Sequence, residues 1–124
     1  MNAARLVLDR PGKIGMGGPV YVPKWKCYLM VDWYYPAGSG RVTSNASQTA
    51  QWDFFVAQHP WGPWKMIGGS RVWRPEGFYG AQFCPKFTSP DGNTVWAFTA
   101  GDFQTNGDGP LSIYRLFVVP LTLK

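Results

Sequence analysis

Six aspartates, Glu76 and His59 are all the carboxyl and imidazole side chains that this chain offers. Most of the acids stand in turn-like surroundings, as in Asp9-Arg10-Pro11-Gly12 and Asp91-Gly92-Asn93. Only Asp32 and Asp53 lie within strand-like segments, where neighbouring strands can bring two carboxylates together. Glycosidic-bond hydrolysis needs such a pair, one carboxyl as general acid and the other as base or nucleophile. Asp32 and Asp53 are therefore the catalytic candidates, against the competing reading of buried aspartates satisfied by backbone donors. The single histidine excludes a histidine-rich metal site and would leave a Ser-His-Asp triad hanging on one residue. Gly15 to Gly18 is glycine-rich, but no Walker lysine and no helix follow it, so it reads as structure and not as a phosphate cradle. No metal or cofactor is implied.

The seven tryptophans are the other chemical resource: Trp25, Trp33, Trp52, Trp61, Trp64, Trp73 and Trp96. Flat indole faces stack on sugar rings and on cations. Trp33 and Trp96, in mid-strand, are assigned to the core. Trp61 and Trp64 flank Gly62-Pro63 in a tight turn and are the best candidates for a surface platform. With His59, Gln58 and Trp25 they form the expected ligand-binding set, for a glycan or another small polar ligand. The alternative for these tryptophans is packing between structural units, in an oligomeric structural protein without ligand.

The elements that must carry these residues are short strands. Aromatics make up 17% of the 124 residues while Gly and Pro number 15 and 11, a pairing of strand formers with turn punctuation that reads as all-β. Strands are expected near 19–23, 26–34, 50–58, 64–73, 80–86, 94–100 and 112–119, with polar loops at 37–49 and 102–110. Gly68-Gly69 reads as a bulge. Arg5 to Leu8 is a further strand candidate, stopped by the turn at 9–12. Net charge is +5, with the twelve Lys and Arg scattered singly, so a nucleic-acid footprint is not expected. No segment approaches the ~20 apolar residues of a membrane helix, and no secretory leader is visible, so the default expectation is a cytoplasmic protein. Cys27 and Cys84 are expected as unbridged, mostly buried thiols.

A rhythm recurs along the chain. Gly18-Pro19-Val20-Tyr21-Val22-Pro23-Lys24-Trp25 is echoed by Gly80-Ala81-Gln82-Phe83-Cys84-Pro85-Lys86-Phe87, with Pro85 62 residues after Pro23. A period of that length, built of strands alone, marks units that cannot bury both their faces unaided. The chain is one domain, 1–124, with units at 13–73 and 75–124 and residues 4–9 as a completing strand. The stretch from Tyr79 through Pro85-Lys86 and Asp91-Gly92 to Trp96 resembles a blade of five-bladed β-propellers of the glycoside-hydrolase (family 43-like) type. Phe55 to Trp64, with its Ala-X-X-Pro-X-Gly-Pro-Trp ending, is similar to the third-strand ending of such blades. The resemblance implies two propeller-like four-stranded antiparallel units, a carbohydrate-directed function and, if catalytic, a glycoside hydrolase. The chain departs from that family in supplying about two blades of five, and its inner-strand candidates, 18–23 and 80–85, carry no acid. Two blades would leave two apolar faces wet, so the expectation is homo-oligomerisation, a trimer first and a dimer second, with a β-sandwich as the alternative fold.

Overall fold

The computed structural model describes residues 6–15, 17–36, 50–71, 79–101 and 115–123. The expected loops at 37–49 and 102–110, residues 4 and 5, and the strand ends at 72–73 and 112–114 lie outside them. Among these residues seven strands form: β1 (Val20–Val22), β2 (Cys27–Tyr34), β3 (Gln51–Ala57), β4 (Lys65–Arg71), β5 (Tyr79–Thr88), β6 (Thr94–Gly101) and β7 (Arg115–Thr122). The only helical element among the described residues is a single 3₁₀ turn at Pro23–Trp25. The chain is all-β, as its aromatic and β-branched runs require.

Two antiparallel meanders result, a first sheet in the order β1-β2-β3-β4 and a second in the order β5-β6-β7. Alternation along the strands sorts the side chains. In the first sheet Val20, Val22, Leu29, Val31 and Trp52 share one face, because Val20 pairs with Leu29 and Trp33 with Trp52. That face meets Ala81, Phe83, Val95, Ala97 and Val119 of the second sheet in one buried cluster. The sheets approach most closely at β2 and β5, and the Phe54 and Phe83 rings stand 6.4 Å apart across the junction.

The repeated Pro-Lys-aromatic segment takes two different forms. In the first unit Pro23–Trp25 closes a tight β1–β2 hairpin, with Lys26 in the left-handed region (φ 48°) donating its N–H to the Pro23 carbonyl at 3.2 Å. In the second unit Pro85-Lys86-Phe87 stays within β5, in the interval where the register slips between Phe83↔Ala97 and Thr88↔Val95. The reversal waits for Ser89 to Asn93. There Asp91 accepts from the Ser89 hydroxyl and the Asn93 N–H, and Gly92 takes φ +68°. The two turns then meet: Trp25 Nε1 donates to the Gly92 carbonyl at 3.2 Å and Lys24 Nζ to Asn93 Oδ1 at 2.5 Å.

Three expectations need adjustment. Leu6 to Leu8 forms no strand and lies exposed or half-exposed. Among the described residues the fully buried tryptophan is Trp52; Trp33 packs only partly buried against the core, and Trp96 is half-buried on the second sheet's outer face, because its neighbours Val95 and Ala97 point inward. The bulge of the fourth strand is at Ile67, where Phe54 pairs with Gly68 and Phe55 with Met66, one residue before the glycine pair. Cys27 and Cys84 are unbridged, as expected, though half-buried and not deeply so. No helix among the described residues is long and apolar enough to cross a membrane.

Candidate functional site

Asp32 and Asp53 are directly opposite each other on β2 and β3. Both point away from the inter-sheet core and both are nonetheless buried, 3% and 2% exposed. The chain before β1 buries them. Arg10 reaches over this outer face and places Nη1 3.4 Å from Asp32 Oδ2 and Nη2 2.5 Å from Asp53 Oδ2. Its guanidinium also stacks over the Phe55 and Tyr34 rings, 5.1 and 5.6 Å from their centroids. Asp32 Oδ1 accepts from the backbone N–H groups of Gly15 and Trp33, both at 2.9 Å, and Asp53 Oδ1 accepts from Gln51 Nε2 at 2.9 Å.

Burial pushes the Asp32 carboxyl above its ordinary range. The two backbone donors and then Arg10 oppose that rise, and the neighbouring Asp53 carboxylate adds to it. One guanidinium stands between two carboxylates, and among the described residues their other partners are the Gly15 and Trp33 backbone N–H groups and the Gln51 amide. The arrangement clamps the segment before β1 onto the first sheet. The glycines complete the fit. A Cβ on Gly17 would lie 2.2 Å from the Val31 carbonyl oxygen, and one on Gly69 would lie 2.5 Å from Asp53 Oδ1. The glycine-rich approach at 15–18 thus exists for close packing, and no phosphate is needed to explain it.

A cleft of about 680 Å³ opens on the other side of the first sheet, between it and the second. Val22, Leu29, Phe54 and Val56 form one wall, Phe83 and Leu121 the other. Trp25, Gln58, Lys65 and Ile67 stand among its lining residues, with Ile67 presented by the β4 bulge. The walls are mostly apolar, and Gln58, Lys65 and Thr122 are the polar side chains that reach the cleft beside the Cys27 thiol. Burial raises the Cys27 pKa, so this thiol stays protonated at neutral pH.

The structure divides the expected ligand set. Trp25 and Gln58 line the cleft, whereas Trp61, Trp64 and His59 do not. Trp61 is 66% exposed and stacks on His59, centroids 5.2 Å apart and planes within 5°. Trp64 is half-buried beside Gly62, and its buried indole N–H has no acceptor among the described residues. Asp32 and Asp53 are together, but on the face opposite the cleft. Arg10 and the cleft itself were not signalled as site features by the sequence. Arg10 had a trace in the need of two strand-embedded acids for a cation; the cleft had none, since its walls come from strands far apart in the chain. Among the described residues no group of three His, Cys, Asp or Glu side chains is placed to hold a metal ion. Comparison with protein-family models, curated proteins and solved structures finds no match for the chain.

Proposed function

We propose that this chain is a binding module whose inter-sheet cleft takes a small amphipathic ligand, with an apolar body between the sheets and a polar, preferably anionic, end at Lys65 and Gln58. The observation that carries this reading is the cleft's lining. A volume of about 680 Å³ falls within the usual ~300–1,000 Å³ of small-molecule sites. Its walls are aliphatic and aromatic, and the polar groups are few, as such sites are built. A free sugar needs a donor or acceptor for each hydroxyl it loses to burial, and this lining offers few. Among the ligands considered from the sequence, the lining therefore favours one less polar than a glycan. The net charge of +5 assists an anionic head group.

On this proposal the two sheets are propeller-like blades stacked face to face, and the cleft is the gap between neighbouring blades. Catalysis by Asp32 and Asp53 has less support. Arg10 occupies both carboxylates, and neither faces the cleft.

The test is titration of an anionic amphiphilic fluorophore, 1-anilinonaphthalene-8-sulfonate, and of decanoate as its competitor. Near-UV circular dichroism is recorded alongside, to separate site binding from a loosened fold. Saturable 1:1 binding, displaced by decanoate and weakened at least tenfold by Ile67→Glu, supports the reading. Lys65→Glu should weaken the anions while sparing an uncharged analogue such as decanol. Binding unaffected by Ile67→Glu, or absent, overturns it.

A further inference from the structure

We propose that the free edge of β7 receives the Leu6–Leu8 segment of a second copy of this chain as an added strand. Three independent observations carry this beyond the cleft reading. The first is the edge. β7 pairs with β6 and with no other strand among the described residues. Natural sheet edges are blunted by charge, proline or brevity. β7 is eight residues long, and although Arg115 opens it and Pro120 interrupts it, the four residues between them, Leu116 to Val119, carry neither charge nor proline. Leu116 and Val118 are 72% and 51% exposed.

The second observation is a matching segment with nothing to do. Leu6 and Val7 are 77% and 52% exposed and belong to no strand, although Leu6-Val7-Leu8 is apolar throughout. The third is the repeat. The spacing of 62 residues between Pro23 and Pro85 maps residues 6–8 onto 68–70, which lie in β4. β4 is the strand that completes the first sheet beside β3, and β7 holds in the second sheet the place that β3 holds in the first. Among the described residues the second sheet thus lacks the strand that Leu6–Leu8 corresponds to.

The donor must be another copy. Two residues past Leu8, Arg10 is fixed by Asp32 and Asp53 on the face of the first sheet that points away from the second. Two extended residues span ~7 Å, less than the ~10 Å between packed sheets, so the segment cannot pass its own first sheet to reach its own β7. A donor segment on one copy and an acceptor edge on the next make a heterologous contact, which closes into a ring when the rotation allows it.

Light scattering on the purified chain at micromolar concentration tests this, with Val7→Pro as the variant. Proline removes the N–H a new strand would donate, and Val7, exposed and outside the clamp, is not needed for the monomer's fold. The expected result is a discrete dimer or trimer that becomes monomeric in Val7→Pro with an unchanged near-UV spectrum. Amide hydrogen exchange over Leu116–Val119 should be protected in the parent and faster by at least tenfold in the variant. A well-folded parent monomer overturns the proposal, as does an oligomer that Val7→Pro leaves intact. Neither outcome bears on ligand binding in the cleft, so the two readings fail separately.

Discussion

Replacing Arg10 with methionine tests whether the clamp is structural. Methionine keeps the apolar contact with Phe55 and Tyr34 but leaves Asp32 and Asp53 facing each other, buried, without their cation. Breaking a buried ion pair by removing one partner costs about 3–5 kcal/mol, against a typical domain stability of ~5–15 kcal/mol. With a urea m-value of about 2 kcal/mol/M, the unfolding midpoint should fall by about 2 M. The pH dependence supplies a sharper signature. In the parent the Asp32 carboxyl is raised above its ordinary 3.8, chiefly by burial, so the folded state binds the proton more tightly than the unfolded one. The contribution of this group is then fully present below the unfolded value and is lost as pH rises through the folded value. Removing Arg10 deletes one of the influences that hold the folded value down. The window of loss must extend to higher pH, and the variant should recover much of its deficit as pH falls towards 4. Asp32→Asn in the Arg10→Met background should recover part of the loss at pH 7, because it removes one of the two stranded charges. Urea denaturation followed by tryptophan fluorescence at several pH values reads all of this. A midpoint shift under about 0.5 M, or a loss independent of pH, would refute the reasoning.

The adjacent glycines of β4 should behave oppositely. Gly69→Ala drives a Cβ to 2.5 Å from Asp53 Oδ1 and should cost about 2 kcal/mol, whereas Gly68→Ala meets nothing within 4 Å and should be neutral or stabilising by about 0.5 kcal/mol, both read from urea midpoints. Trp52→Ala, which empties a fully buried site, should cost about 3–5 kcal/mol by the same measure. The Asp91 carboxyl is held down to about 2 first by the Ser89 hydroxyl and then by Asn93. Its contribution to stability is therefore present above pH 3.8 and lost as pH falls through about 2; NMR titration should find that midpoint, and Ser89→Ala should raise it. Intact mass with and without reductant should be identical, and Cys27, its thiol pKa raised by burial, should alkylate with iodoacetamide more slowly at pH 8 than a free cysteine.

Local sequence carried the strands well because the determinants of a strand are local. Runs such as Tyr28 to Tyr34 and Thr94 to Thr99 hold β-branched and aromatic residues between turn residues, and strands stand there. The pairing of Asp32 with Asp53 was also within reach, since both sit in strands adjacent in sequence. What was not legible depended on distant chain. Trp96 looks as buried as Trp52 by composition, and only the direction of the second sheet's core decides between them. Pro23-Lys24-Trp25 and Pro85-Lys86-Phe87 read alike, yet the first closes a hairpin and the second lies within a strand, because Ser89 to Asn93 supplies the second unit with its own turn. The two strand-embedded acids called for a cation, but nothing pointed to Arg10 as that cation, since its surroundings in sequence announce a turn and its partners lie 22 and 43 residues away. The cleft has walls from β1 to β4 on one side and from β5 and the end of β7 on the other, so it exists only once both sheets are packed.

The most direct measurement of ligand binding between the sheets is methyl NMR of the Leu- and Val-labelled chain during titration with decanoate. The Val22, Leu29, Val56 and Leu121 methyls line the cleft, while those of Leu116 and Val118 lie exposed on the second sheet's outer face. Binding in the cleft predicts saturable shifts of the first group with the second unmoved. Shifts confined to Leu116 and Val118, or no saturable shift at all, would contradict it.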